Sequence, residues 1–190
     1  MKAVILVEPE IPQNTGSIAR LAHNYDYQIR IVNPEFNLEK ARKTAKNGQE
    51  KLRNAKIYDT VKEAVEDLEY VAGTKPGKGT GLKQFTPRKN TSIMIGRESS
   101  GLSNKELEMC DTVIHIETKK YNSLNQSHAT AVIMHNLVET EEKGLNLDKK
   151  EYISSIVDSK ILERLILRAN PSESEANQLI GEIKDKFDQS

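Results

Sequence analysis

One cysteine, no tryptophan and only three phenylalanines stand among the 190 residues. Cys110 being alone excludes an internal disulfide framework, and with four scattered histidines it leaves no ligand set for a structural zinc site. This points to a reducing, cytoplasmic setting and to no metal. Long hydrophobic runs are missing as well. The apolar opening at residues 3–7 stops at Glu8, too short for the core of a signal peptide or for a membrane span, so it reads as a buried first strand and no membrane partner is expected. Charge of one sign is also absent, because Lys plus Arg and Asp plus Glu both number 28. Whole-chain charge therefore argues neither for nor against nucleic acid. Basic side chains slightly outnumber acidic ones up to residue 140, and the balance reverses beyond it.

What is present is an alternation of two periods. Apolar runs typical of buried strands occupy residues 3–7, 29–32, 70–72, 92–95 and 112–116. Between them, Ile18, Leu21 and Ala22, then Val61, Ala64, Val65 and Leu68, then Leu107 recur at helical spacing. Strand alternating with helix predicts an α/β fold, a parallel sheet with helices on both faces. A longer helix is predicted over 124–138, on Ala131, Ile133, Met134, Leu137 and Val138, with a stop at Gly144. The main domain is accordingly placed at 1–144. Ile153, Ile156, Val157, Ile161, Leu162, Leu165 and Ile166 then form a helical stripe that Asn170-Pro171 breaks. Ser172 and Glu175 have capping-box spacing for a last helix with Leu179, Ile180, Ile183 and Phe187 on its apolar side. Two helices cannot bury an independent core, so 145–190 is read as a short helical C-terminal extension that docks on the main domain or on a second subunit.

Three separated stretches sit where a strand or loop feeds a helix: Pro12-Gln13-Asn14-Thr15-Gly16-Ser17-Ile18-Ala19-Arg20, Gly96-Arg97-Glu98-Ser99-Ser100-Gly101-Leu102 and Tyr121-Asn122-Ser123-Leu124-Asn125. Such positions lie at the carboxyl ends of parallel strands, where free N–H groups converge. Asn14-Thr15-Gly16 has the composition of a helix cap, which would turn Arg20 toward the same crevice about one and a half turns later. Gly96 and Gly101 bracket a sharp turn, and Ser103-Asn104-Lys105-Glu106 reads as a capping box. Ser123 offers an N-cap for the 124–138 helix. Taken singly, each stretch is equally an ordinary turn and cap.

Residues 75–89 hold Lys75, Lys78, Lys83, Arg88 and Lys89 and no acidic residue, a composition that invites a phosphate. The segment is not a Walker loop, since Gly73 and Gly77 bracket only three residues and Lys78 precedes Gly79. Nor do Gly77, Gly79 and Gly81 have dinucleotide-fingerprint spacing. A mobile basic loop on a nucleic-acid backbone and a solvated connection both fit. Lys40, Arg42, Lys43, Lys46, Lys51, Arg53 and Lys56 either extend that surface or form a solvated helix face. His128 either touches a ligand or packs as a capping residue.

In order and spacing, the three stretches resemble the three motifs of the SPOUT class of RNA methyltransferases, and the resemblance spans most of residues 1–140. Gly101 to Leu107 with Cys110, the 165–183 tail and Ser127-His128-Ala129 are most similar to the anticodon-loop tRNA ribose 2′-O-methyltransferases in their archaeal form. The resemblance implies a C-terminal trefoil knot and S-adenosylmethionine held by Thr74, Lys75, Gly96, Gly101, Ile116, Ser123, Leu124 and Asn125. It implies Arg20 as the catalytic residue, with Asn14 and Glu98 positioning the substrate or Arg20. It further implies a homodimer in which Arg20 of one subunit completes the site of the other. The substrate would be tRNA, at nucleotide 32. Wobble-position tRNA or rRNA is the alternative substrate, and an inactive knotted RNA-binding module the alternative of another class.

Overall fold

The computed structural model describes residues 1–138, 147–157, 159–162, 166 and 176–182. The chain forms two compact units, Met1–Val138 and Glu139–Ser190. In chain order the elements are β1 (Ala3–Val7), α1 (Pro12–Asn24), β2 (Gln28–Val32), α2 (Leu38–Ala45), α3 (Gln49–Arg53), β3 (Lys56–Tyr58), α4 (Val61–Val65), β4 (Tyr70–Thr74), β5 (Thr80–Gly81), β6 (Thr91–Ile95), α5 (Asn104–Leu107), β7 (Thr112–His115), α6 (Gln126–Asn136) and α7 (Leu147–Ile156). A single 3₁₀ turn, Lys46–Gly48, joins α2 to α3.

The seven strands form one sheet in the order β3-β2-β1-β6-β4-β7-β5, and every pairing is parallel. β1 lies between β2 and β6, with Val4 beside Ile29 on one side and Ile93 on the other. All five of its side chains are buried, because a parallel strand in the middle of a sheet has a covered face above and below. Side chains alternate along a strand, so Val4 and Leu6 enter one apolar cluster while Ile5 and Val7 enter another. The first cluster is closed by Ile18, Ala19 and Ala22 of α1, Ala41 and Ala45 of α2, Leu52 of α3, and Ile133 and Met134 of α6. Val61 and Ala64 of α4 and Leu107 of α5 close the second. The sheet thus has helices on both faces, as the alternation of periods predicts. Gly16 lets α1 and α2 meet, because a Cβ there would overlap Thr44 Oγ1 and the Ala41 carbonyl oxygen.

Five predicted strands are present at their expected places, and two further ones are not anticipated. β3 is a three-residue strand with Lys56 and Ile57 exposed, and β5 has two residues inside the basic segment. Both form by pairing with a neighbour already in place, β2 and β7 respectively, so neither leaves a hydrophobic pattern to find. In the second unit Ile153 and Ala176 are buried together, with Val157, Ile166 and Ile180 against them. The expected stop at Gly144, the Asn170-Pro171 break, the Ser172 and Glu175 cap, and Leu165, Ile183 and Phe187 lie outside the described residues. Among the described residues no helix is long and apolar enough to cross a membrane.

Candidate functional site

The strands β1, β4, β6 and β7 point their carboxyl ends at one cavity of about 600 Å³. Ile95, Ile114, Ile116 and Ile133 supply apolar wall, and Ile11, Tyr121 and Leu124 stand exposed along the lining. Thr74, Lys75, Gly96, Gly101, Ile116, Ser123, Leu124 and Asn125 all line this cavity, as do Asn14 and Glu98. Three stretches more than a hundred residues apart at their extremes therefore meet in one place.

Hydrogen bonds join them. The Glu98 carboxylate accepts from the Glu10 amide at 2.9 Å, the Ile11 amide at 3.2 Å and Asn14 Nδ2 at 3.1 Å. Asn14 Oδ1 accepts from Asn125 Nδ2 at 3.0 Å. Asn125 Oδ1 in turn accepts from the amides of Ser127, at 2.9 Å, and His128, at 3.3 Å. The sequence-based caps are corrected by this chain of bonds. α1 begins at Pro12, ahead of Asn14, and its N-cap residue Ile11 has no side chain able to cap, so Glu98 brings the negative charge to that helix start. Asn125, rather than Ser123, caps α6, which is why that helix starts at Gln126 and not at 124. Both Glu98 oxygens are taken up as acceptors, and neither Glu98 nor Asn14 hydrogen-bonds Arg20.

The Gly96–Gly101 loop is clamped from several sides. Arg97 donates from Nε to Glu8 at 2.7 Å and from its terminal nitrogens to both Glu106 oxygens at 3.0 and 3.1 Å. Bonds to Glu106 and Glu8 hold the Arg97 guanidinium firmly cationic. Burial pushes the Glu106 carboxyl up, but its bonds to Arg97 and Ser103 outweigh that and leave it below the ordinary carboxylate range. Gly101 takes φ 68° to close the turn, and a Cβ on Gly96 would overlap the Gly101 and Leu102 backbone. Lys75 Nζ donates to the Leu102 carbonyl at 2.7 Å, and the buried Gln126 Nε2 to the Gly96 carbonyl at 2.9 Å. Ser103 forms the predicted capping box with Glu106. Sequence reasoning missed Arg97, Gln126 and Glu10, whose carboxylate holds Ser99. Only the position of Arg97 between Gly96 and Glu98 was a usable signal.

Arg20 does not line this cavity, contrary to its expected direction. It lines a second depression of about 460 Å³ between α1, the Lys46–Gly48 turn and α6, with Lys46, Asn47, Asn24 and His128. Six residues along a helix turn the direction by about 120°, so the buried Asn14 faces the cavity while the exposed Arg20 faces away from it on α1. The basic segment 75–89 is also tied down more than expected. β5 pairs with β7, Leu82 is buried, Lys78 Nζ donates to Asn104 at 3.3 Å, and Arg88 lies 4.5 Å over the Tyr70 ring.

A parallel α/β sheet with a cavity at its carboxyl edge is the usual ligand-binding arrangement of such folds, and the comparisons with known proteins give its class. The chain belongs to the SpoU rRNA Methylase family, whose model matches residues 1–135. It is 35% identical over 181 residues to a tRNA (cytidine-2′-O-)-methyltransferase TrmJ of Methanocaldococcus jannaschii, covering 86% of this chain and 79% of that one. The crystal structure of TrmJ from Z. mobilis ZM4 superposes with a TM-score of 0.66 at 22% identity, covering 97% of this chain and 98% of that one. The SpoU methyltransferase AviRb from Streptomyces viridochromogenes, solved with the cofactor AdoMet, superposes with a TM-score of 0.61 at 21% identity, over 70% of this chain and 55% of that one.

Proposed function

We propose that this chain is an S-adenosylmethionine-dependent tRNA ribose 2′-O-methyltransferase acting in the anticodon loop, at nucleotide 32. The observation that supports this most is the convergence of Thr74, Lys75, Gly96, Gly101, Ile116, Ser123, Leu124 and Asn125 on one cavity. That cavity suits the methyl donor, since an adenine needs apolar walls and nearby backbone partners, and the Gly96–Gly101 loop lines it, folded so tightly that a Cβ on Gly96 would overlap the Gly101 and Leu102 backbone. When bound, the donor supplies an electrophilic methyl on a sulfonium, and the task left to the protein is orientation. Lys75, Arg97 and Gln126 keep the loop closed, while Glu98 and Asn14 hold the starts of α1 and α6 against it.

Alignment of the acceptor ribose 2′-hydroxyl falls to Arg20. A guanidinium, with a pKa above ~12, is a poor base, so its role is to grip the phosphate beside the acceptor ribose and align the 2′-oxygen. It takes the hydroxyl proton released on methyl transfer only if that environment lowers its basicity, the proton otherwise leaving to solvent. Arg20 lies outside the cavity of its own chain, and in the proposed homodimer Arg20 of one subunit completes the cavity of the other. The reading assigns the activity and the trefoil knot of the class to residues 1–144, with 145–190 as a helical extension. The relative in M. jannaschii, a tRNA cytidine methyltransferase by name, supports tRNA as the substrate. The test is incubation with labelled methyl donor and unmodified tRNA, followed by mapping of the modified ribose. Label at the 2′-oxygen of nucleotide 32 is expected. Label at the wobble nucleotide or in rRNA would move the substrate, and no transfer to any RNA would overturn the activity.

A further inference from the structure

Gln126 opens α6 and is only 7% exposed, yet it lines the cavity at the sheet edge. One end of its amide is spent, because Nε2 donates to the Gly96 carbonyl at 2.9 Å. The other end is not: Oε1 is buried and has no hydrogen-bond partner among the described residues. A flipped amide would set oxygen against the Gly96 oxygen, so the bond fixes which end is which. Thr15, Arg30 and Arg42 also hold a buried polar atom without a partner, but none of them lines the cavity or the depression beside Arg20. A buried acceptor without a donor is costly to keep, and a leucine of similar size would fill the space without that cost. Gln126, Ala129 and Ile133 all line the cavity at i, i+3 and i+7, and therefore share one face of α6. The amide stands at the polar end of an otherwise apolar row.

We propose that Gln126 is a specificity-determining residue for the methyl donor, its Oε1 accepting a hydrogen bond from the 6-amino group of the adenine. The inference rests on the reading of the cavity as the methyl-donor site and deepens it. The apolar row of Ala129 and Ile133 suits the face of a purine, and the amide at its end is left to meet the purine's edge. On that edge N1, N3 and N7 accept hydrogen bonds and only the 6-amine donates, so an acceptor that lacks a donor matches the amine. The last torsion of a glutamine is broad, so Oε1 can turn to the amine with the rest of the side chain held in place. A purine with a carbonyl at position 6 would set two acceptors together. Gln126 thus favours adenine and rejects 6-oxo purines through one atom.

Calorimetry on the full chain tests this with two unreactive probes, S-adenosylhomocysteine and S-inosylhomocysteine, which differ in that a carbonyl replaces the 6-amine. Wild-type protein should bind the adenosyl compound about ten-fold more tightly or better. Gln126→Leu also removes the Nε2 bond to Gly96, and the looser loop weakens both compounds alike. The ratio of the two affinities therefore reports Oε1 alone, and it should shrink about ten-fold in the variant. Gln126→Met keeps the length of the side chain without its amide and should shrink the ratio equally, so the comparison survives if the leucine variant fails to fold. Equal affinity of the wild type for the two compounds would overturn the proposal with no variant needed. A wild-type preference that persists undiminished in Gln126→Leu or Gln126→Met would overturn it too. Wild-type protein that binds the adenosyl compound without preference leaves the methyl-donor reading standing, whereas binding of neither compound would sink both.

Discussion

Two hollows flank α1, and they are built in opposite ways. In the cavity at the sheet edge, the polar side chains largely bond to one another or to backbone: Glu98 to Asn14, Asn14 to Asn125, Lys75 to Leu102, Gln126 to Gly96. In the depression on the other face, the side chains of Arg20, Lys46 and His128 have no hydrogen-bond or ion-pair partner among the described residues. Side chains already satisfied give a rigid mould whose ligand contacts come from backbone and apolar wall, suited to one small molecule of fixed shape. Unsatisfied cations on the surface suit a flexible, heavily hydrated anion, because each phosphate contact releases a counterion and demands little preformed geometry. In the proposed function, the first hollow holds the cofactor and the second grips the acceptor.

The largest expected effect breaks the contrast from the cationic side. Arg20→Ala should lower kcat/KM for methyl transfer by about a thousand-fold or more, the scale seen when a positioned donor at a reacting centre is lost. Calorimetry should find S-adenosylmethionine binding unaltered; a parallel loss of cofactor affinity would mean that the two hollows are not separate. Next comes the mould. Glu98→Ala leaves the Glu10 and Ile11 amides and Asn14 Nδ2 without their acceptor, which should cost about 1–3 kcal/mol of stability and weaken the cofactor roughly ten-fold. Denaturant unfolding and calorimetry measure the two effects, and tRNA affinity should hold.

Smaller still is Gly101→Ala, which forces a side chain to φ 68° and should cost about 1–2 kcal/mol in chemical unfolding. An unchanged midpoint would mean that the loop relaxes freely and is no rigid mould. The subtlest concerns acid. The Glu106 carboxyl titrates lower in the folded protein than in the unfolded chain. Its contribution is therefore present in full above the ordinary carboxylate value of about 4.3, and is lost as pH falls through the lower folded value. Glu106→Gln should flatten the acid limb of the stability profile, whereas a profile parallel to the wild type would show that the Arg97 clamp does not govern it.

The fold was legible where burial is symmetrical. Residues 3–7 and 93–95 are apolar at every position because both faces of the central strands are covered, and the pattern survives in the sequence. β3 and β5 were not legible, since their partners and not their own side chains make them strands. Asn14, Gly96, Glu98, Gly101, Ser123, Leu124 and Asn125 were visible in the three stretches, whereas Thr74, Lys75 and Ile116 came from the family resemblance, and how the stretches join was not visible at all. The link from Glu98 to Asn14 crosses 84 residues and that from Asn125 to Asn14 crosses 111, distances over which no local spacing speaks. Arg20 shows the same limit in reverse. Helical spacing set it on α1 correctly, but which hollow it faces depends on how α6 and the Lys46–Gly48 turn pack alongside.

The proposed division of labour has one subunit's Arg20 serve the other's cavity, and complementation tests this most directly. Arg20→Ala and Asn125→Ala chains, each inactive alone, are co-expressed under separate tags, and the mixed dimers are assayed for methyl transfer to tRNA. With random pairing of a two-fold dimer, half the dimers are mixed and each has one intact site, so about a quarter of wild-type activity should return. Mixed dimers that form and remain inactive would contradict a site shared between subunits, and with it the assignment of Arg20 to the reaction in the neighbouring cavity.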